Sequence, residues 1–418
     1  MKIAVIGSGI SGLTCAWLLS QKHEVWVYES NDRIGGHTAT VDIEHSGQRY
    51  AIDTGFIVFN DWTYPNFIKL MNTLGIKSQA SNMSFSVSAE GYDYEYSGSS
   101  FKALFAQKRN LFNFSHWKML RDIVRFNKRA IRDYEAGAVP EGMTLNEYLQ
   151  ELRMGRYFTE RYLIPMASAI WSSSNESMLD VSALFFIEFF KNHGLLNIKN
   201  RPQWRVLKGG SKAYLEPLSR EFRERIVLNS KITAVKRTGD SAKLLFVDGT
   251  EEDFDQVVLA CHSDQALSLL GDVNPTERLL LASIPYKKNH VVLHTDTSVL
   301  PKRTRAWASW NYRLSADKTK LPALSYNMNM LQGFGSDHTF IVTLNASEHI
   351  DPDKILGEFY YSHPQFSLKG REAQRLWEQI NGKNRTWFCG AYWGSGFHED
   401  GCVSGIRVAK ALGCEWEL

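Results

Sequence analysis

Lys2-Ile3-Ala4-Val5-Ile6-Gly7-Ser8-Gly9-Ile10-Ser11-Gly12 is a short apolar run that ends in three glycines spaced G-x-G-x-x-G. Leu13, Ala16 and Trp17 then recur at helical spacing, and Leu18 and Leu19 widen the apolar face. The pattern predicts a buried strand, a tight turn and a helix. Val25-Trp26-Val27-Tyr28-Glu29 follows as a second strand, and its terminal acid lies 17 positions beyond Gly12. That is close to the ~20 residues separating turn and acid in dinucleotide-binding βαβ units.

The chemistry explains the residue types. Gly7, Gly9 and Gly12 let backbone pass close to a pyrophosphate, and the helix opening at Ser11 turns free N–H groups and partial positive charge towards it. Glu29, with Ser30 beside it, suits ribose hydroxyls, and its carboxylate disfavours a 2′-phosphate, hence NADP. Arg33-Ile34-Gly35-Gly36-His37 adds a second glycine turn, which an extended FAD needs along its pyrophosphate. An ordinary Gly-Gly turn opening a hairpin is the competing explanation.

Outward from this unit, Thr38 to Asn60 alternates around a turn at Ser46-Gly47 and predicts a hairpin leading into Asp53-Thr54-Gly55-Phe56. Residues from about Tyr64 to Asn200 read mostly as helices, with a capping box at Thr144 to Glu147. Lys208-Gly209-Gly210-Ser211, a helix to about Phe222, strands at Ile232–Val235 and Lys243–Val247, and the strand Val257–Ala260 resume an alternating α/β pattern. Asn289–His294, Ala306–Asn311, Leu324–Met328 and Phe340–Leu344 read as strands of another sheet. Trp387-Phe388-Cys389-Gly390, a glycine-rich loop and a helix Val403–Leu412 close the chain. The expected architecture is α/β: a discontinuous Rossmann-like, glutathione-reductase-like FAD-binding domain (1–63, 205–275, 380–418) with an α+β substrate domain (64–204, 276–379).

Composition narrows the class. In 418 residues, 44% apolar and 22% charged content is ordinary for a globular protein, and a net charge of +3 is too small for a nucleic-acid partner. Five scattered cysteines form no metal pattern, so no metal is expected and a reducing cytoplasmic setting fits. A strand starting at residue 3 leaves no room for a signal peptide, and no run is long enough to span a membrane. Residues Lys102 to Arg132 nevertheless mix nine basic positions with aromatic and aliphatic ones, so either a solvated helix face or peripheral contact with the inner face of a membrane is expected.

These motifs, with Asp53-Thr54-Gly55, Lys208-Gly209-Gly210, Val258-Leu259-Ala260 and Phe388-Cys389-Gly390, resemble in their order the FAD-dependent amine oxidase superfamily, which includes monoamine oxidases and phytoene desaturases. A nearer likeness is to bacterial predicted NAD/FAD-binding proteins associated with fatty acyl modification. The resemblance implies that Thr54, Gly55, Phe56 and Ala260 border the cofactor, that Val235 holds adenine through its backbone, and that Gly390, Asp400, Gly401 and Val403 lie against the flavin and ribityl chain. The chain departs from the family at His37, where many members have Arg, and at Ala391-Tyr392, where many have an acid.

His290, ahead of Val291-Val292-Leu293, occupies the position of a lysine that holds a water near the flavin in many amine oxidases, and is the first acid/base candidate. Lys287 and Lys288 are alternatives, and a hydrogen-bonded structural histidine is equally in keeping with the strand. Tyr392-Trp393-Gly394-Ser395-Gly396-Phe397-His398-Glu399 is expected to loop over the flavin, with Tyr392 and Trp393 as aromatic walls and His398 or Glu399 moving a proton. The apolar run Ala183–Phe190 is either a buried helix or a tunnel wall. The expected reaction is hydride abstraction from an unsaturated or methyl-branched acyl chain, with oxygen or another compound reoxidising the flavin. Amine oxidation and a non-redox isomerase or mutase reaction are the alternatives.

Overall fold

A computed structural model describes residues 1–91, 93–171, 178–315 and 323–416. The opening apolar run forms the strand Lys2–Ile6 at the middle of a five-stranded sheet. The strand order is Ile226–Val227, Glu24–Tyr28, Lys2–Ile6, Gln256–Leu259 and Thr386–Phe388, with every neighbouring pair parallel. A parallel sheet is covered on both faces, so its strands need apolar residues at consecutive positions. Ile3, Ala4, Val5, Val257, Val258 and Leu259 accordingly have no exposure. Ile6 pairs with both Tyr28 and Leu259, so three strands end level and their carboxyl ends open onto one crevice.

The helix Ile10–Leu19 covers this sheet and is itself covered by the helix His398–Ala411. Gly401 and Gly405 make the contact: a Cβ on them would lie 2.7 Å from Ile10 Cγ2 and 2.4 Å from the Ser11 carbonyl oxygen. This last helix begins five residues earlier than expected. Asp400 accepts from the Phe397 N–H at 2.9 Å and closes a capping box, so His398, Glu399, Asp400 and Gly401 form a first turn instead of a loop.

The hairpin is present as Thr40–His45 and Gln48–Asp53, turning through Ser46 and Gly47, both at positive φ (52° and 75°). The Thr144–Glu147 capping box is also present. The predominantly helical stretch is interrupted by three strands, Ser78–Ala80, Phe85–Ala89 and Glu95–Ser97. The last two complete a seven-stranded sheet ordered Ile355–Pro364, Tyr286–His294, Ile341–Leu344, Ala323–Asn327, Trp310–Leu314, Phe85–Ala89, Glu95–Ser97. Its pairs are antiparallel except Trp310–Leu314 with Phe85–Ala89. The strand expected over Ala306–Asn311 thus starts only at Trp310, after a 3-10 turn at Thr304–Ala306. Against the sheet packs a helical layer that includes Phe114–Glu135 and Ala183–Asn192, whose Phe186 and Phe190 stack at 4.0 Å inside its core.

Candidate active site

Between the two sheets lies a continuous cavity of about 1190 Å³. One limb is walled by the two glycine turns, which face each other. The Gly35 N–H donates to the Ser8 carbonyl at 3.0 Å, and a Cβ on Gly36 would stand 3.3 Å from Gly9 Cα. At Gly7 (φ +108°) a Cβ would meet the Ala260 carbonyl oxygen at 2.7 Å, and at Gly12 it would meet that of Gly7 at 2.0 Å. At Gly9 a Cβ would meet nothing within 4 Å, because that position opens on the cavity. Arg33 clamps the second turn by donating to the carbonyls of Gly36 (3.1 Å) and Thr38 (3.2 Å). Buried Glu29 accepts from the Ser8 hydroxyl at 2.5 Å and the Asn31 amide at 2.7 Å at the far end of the limb. Asp53 accepts from Thr40, the Ser211 N–H and the Ser211 hydroxyl, tying the hairpin to the Gly209-Gly210 turn; burial still pushes it up to about 6.

Where the glycine limb meets the seven-stranded sheet, three histidines gather. The His37 ring centre lies 5.3 Å from His363 and 6.1 Å from His262, and His262 stacks on Tyr286 at 4.0 Å. Burial, then mutual repulsion, lowers His37 and His262 to about 4 and His363 to about 3, so all three are neutral at pH 7. The Asn289 amide N–H donates to His363 Nδ1 at 3.2 Å, while Asn345 donates to Asn289 Oδ1 at 2.8 Å. That orientation leaves the His363 proton on Nε2. His37 bonds to the Ser362 backbone, and its Nε2 is buried without a partner. The Trp310 indole N–H, also on the cavity wall, is likewise unpaired. Buried polar atoms seldom go unsatisfied, and two on one cavity wall fit a polar ligand there. The open Gly9 position and the paired glycine turns fit a dinucleotide.

The other limb is aromatic, lined by Trp171, Phe189, Trp204, Trp310, Tyr326, Phe366 and Phe397. The run Ala183–Phe190 is therefore both things expected of it, since Phe186 and Phe190 face the core and Phe189 the cavity. Among the described lining residues the charged ones are Glu29, Asp32 and Arg33 at the glycine end and Arg201 at the aromatic end, and none is a lysine.

Of the residues singled out in the sequence, Gly7, Gly9, Ser11, Glu29, Ser30, Arg33, Gly35, Gly36, His37, Thr54, Gly55, Phe56, Ala260, Gly390, Tyr392 and His398 line this one cavity. Others do not. His290 points to the opposite face of its strand, where it bonds Glu358 at 2.8 Å and Ser347 at 3.1 Å, because side chains alternate and its neighbours Asn289 and Val291 face inward. Lys288 shares that outer face, its ammonium over the Tyr360 ring at 4.1 Å. Glu399 is spent on structure: it accepts the N–H groups of Asn66 and Phe67 at the start of the helix Pro65–Thr73. Asp400 is the cap already described, Gly401 is a helix contact, and Val403 lies beyond both on the helix. Trp393 is buried beside Tyr392, off the cavity. Val235 sits in the core with its carbonyl taken by the Gly271 N–H; Ile232, three residues earlier, lines the cavity instead. His398 stacks on Phe56 at 3.5 Å and bonds Thr38 at 3.0 Å, and burial holds it neutral.

The model of one protein family, the flavin containing amine oxidoreductases, matches residues 10–304, more than two thirds of the sequence. The chain belongs to this family. Its membership bears out FAD as the cofactor expected from the glycine turns and Glu29. Curated relatives of the flavin amine oxidoreductase include horse amine oxidase [flavin-containing] A, 27% identical over 57% of this chain and 45% of that protein. The chain therefore spans less than half the length of that relative. A 15-cis-phytoene desaturase from Synechococcus elongatus is 36% identical over 19% of this chain and 16% of its own. Among solved structures, a putrescine oxidase bound to putrescine superposes with a TM-score of 0.68 over 99% of both chains at 15% identity. A CLA-producing fatty acid isomerase from P. acnes gives 0.69 over 98% of both at 16%. At such identity the likeness is one of fold, an α/β fold shared along the whole chain. Among the described residues no helix is long and apolar enough to cross a membrane.

Proposed function

We propose that the chain is an FAD-dependent oxidoreductase that takes hydride from a largely apolar substrate, with an unsaturated or methyl-branched fatty acyl chain as the substrate class. The observation that carries this is the character of the large cavity: backbone and a buried acid at one limb, aromatic rings at the other, and, among the described residues, no carboxylate in the aromatic limb to meet an ammonium. Gly7–Ser11, Glu29, Gly35–His37 and Thr54–Phe56 would hold FAD, which when bound would supply the two-electron acceptor. The chain's own residues align and dry the substrate. Trp171, Phe189, Phe366 and Phe397 exclude water, and Gln374 fixes the loop beneath them by donating to the carbonyls of Tyr392 and Gly394, each at 2.6 Å. His37, through its unpaired Nε2, and His363, through Nε2–H, are the groups we assign to holding or moving a proton.

On this reading residues 1–63, 205–275 and 380–418 form a discontinuous Rossmann-like, glutathione-reductase-like unit, since they supply all five parallel strands. Residues 64–204 and 276–379 form the substrate unit, since they supply the seven-stranded sheet. Five unbonded cysteines support a cytoplasmic setting. Amine oxidation is the second reading, favoured by the family description and the horse relative. An isomerase reaction without net electron transfer is the third, favoured by the likeness to the fatty acid isomerase.

The test is an absorbance spectrum of the FAD-loaded protein during anaerobic additions. Bleaching of the flavin band by unsaturated or methyl-branched acyl phospholipid and not by amines supports the proposal. Bleaching by amines alone replaces it with amine oxidation, and altered double bonds in the lipid without net bleaching replace it with isomerisation.

A further inference from the structure

Between Phe101 and Arg132 the chain turns large apolar side chains outward. Phe101, Phe112 and Phe114 are 65%, 92% and 79% exposed, and Leu111 and Trp117 are 40% and 44% exposed. Phe101, Leu111 and Trp117 are linked through buried Phe105, and Phe112 and Phe114 follow Leu111 in the chain. Phe101 packs on Phe105 at 4.9 Å, Phe105 packs on Trp117 at 5.0 Å, and the Trp117 indole N–H donates to the Leu111 carbonyl at 2.9 Å. Scattered exposed apolar residues need no explanation, but a joined aromatic patch marks a surface that something covers.

Charge says what covers it. Lys102, Lys108 and Lys118 are exposed beside these rings in the chain, and Lys128 is exposed further along the helix Phe114–Glu135. The 32 residues from Phe101 to Arg132 hold nine Lys and Arg against one acid, the buried Asp122, a net of +8 in a chain of net +3. The remainder of the chain is thus net −5, and this one segment carries all the excess positive charge. A second copy meeting the patch about a two-fold axis would set that charge against itself. Nucleic acid would answer the charge and leave Phe112 and Phe114 uncovered. An anionic bilayer answers both, with an apolar phase beneath a layer of phosphates.

The patch also adjoins an opening of the cavity. Gly98 and Ser99, just ahead of Phe101, are exposed and line the cavity, and Tyr96, Tyr162 and Met166 continue its wall inward.

We propose that the Phe101–Arg132 face docks on an anionic phospholipid bilayer, with Phe112 and Phe114 in the interface, so that the opening at Gly98–Ser99 faces the acyl layer. The docking stands on the surface alone; its use as a loading route rests on the acyl-substrate reading above.

The FAD-loaded full-length protein is sedimented with vesicles of phosphatidylcholine alone and of phosphatidylcholine mixed with phosphatidylglycerol, at low and at high salt. Binding to the anionic vesicles that weakens with salt is expected. Phe112→Ser with Phe114→Ser lowers partitioning by ~100-fold, each ring being worth about tenfold or more, with the flavin spectrum unchanged. Lys102→Gln, Lys108→Gln and Lys128→Gln together lower it by at least ~tenfold and flatten the salt dependence. No binding by the wild type, or binding that the phenylalanine pair leaves unaltered, overturns the proposal. So does a dimer that the same pair makes monomeric without vesicle binding, since the face then covers a second copy. An intact flavin band with no docking leaves the FAD assignment standing, and docking without a flavin band fails that assignment instead.

Discussion

Gly9 and Gly12 stand three residues apart in the same turn and should fail in different ways when substituted. Gly9 has φ −68° and ψ 178°, a conformation any residue adopts, and a Cβ there meets nothing within 4 Å. Gly9→Val should therefore cost the apoprotein less than ~1 kcal/mol. Its side chain would instead fill the space where phosphate oxygens meet the turn. Losing one charge-assisted backbone hydrogen bond costs about 1.5–3 kcal/mol, which weakens FAD binding by ~10- to 150-fold. Gly12→Ala would place a methyl 2.0 Å from the Gly7 carbonyl oxygen, a backbone atom that cannot step aside alone. Overpacking of this kind costs ~1–3 kcal/mol or more, so apoprotein melting temperature and FAD affinity should fall together. The assays are thermal melting of apoprotein and fluorescence titration with FAD. Unchanged FAD affinity in Gly9→Val would show that this turn does not face the pyrophosphate, and a Gly12→Ala apoprotein as stable as wild type would refute the turn geometry itself.

The two strand histidines make a second contrast. His363→Asn should lower turnover by at least ~100-fold with the flavin spectrum kept, whereas His290→Asn, which breaks a partly exposed pair with Glu358 and a bond to Ser347, should cost about 1 kcal/mol and leave turnover as it was; equal losses in both would end the assignment of His363. Stability of the apoprotein should fall on acidification from about 6.5 towards 4. His37, His193, His262 and His294 at about 4, and His363 at about 3, stay neutral in the fold while their unfolded counterparts protonate. Asp53 and Asp400, raised to about 6, oppose this by binding protons in the fold over much the same window, but they are two against seven, since burial lowers His116 and His398 as well. Melting temperature read against pH checks the net sign, and a flat profile between pH 6.5 and 4 would contradict it. Finally, Glu399→Ala should cost about 1–2 kcal/mol through the lost cap on Pro65–Thr73 and leave flavin absorbance unchanged; an unaltered melting temperature would remove Glu399 from that role.

The glycine limb was legible because each of its residues obeys a local rule. A phosphate turn needs glycine at fixed spacing, a hairpin needs left-handed positions at Ser46 and Gly47, and a buried parallel strand needs an unbroken apolar run. The histidine cluster was not legible, since His37, His262 and His363 come from three distant segments and only the register of Tyr286–His294 on Ile355–Pro364 brings Asn289 to His363. His290 failed by parity, one position out of step on a strand whose face no local pattern declares. One signal was available for His262, which follows Ala260 and Cys261 at the carboxyl end of a parallel strand, where such sheets bind ligands. Phe85–Ala89 does alternate apolar residues with Ser86 and Ser88, but over only five residues inside a stretch dominated by helical spacing, and Glu95–Ser97 is too short to show a period. The last helix was placed late because Gly401 and Gly405, which discourage a helix on propensity, are there for contact with Ile10 and Ser11.

That contact has a bearing on biogenesis. The strand Lys2–Ile6 and the helix Ile10–Leu19 are bordered by a strand at Gln256–Leu259 and by a helix at His398–Ala411, so during synthesis this unit waits for neighbours that are made much later. A cofactor site bordered by Gly390 and His398 is complete only once those residues have been made. Chains stalled before residue 386 should retain no flavin on isolation, and retention by such chains would show that the early turn closes unaided.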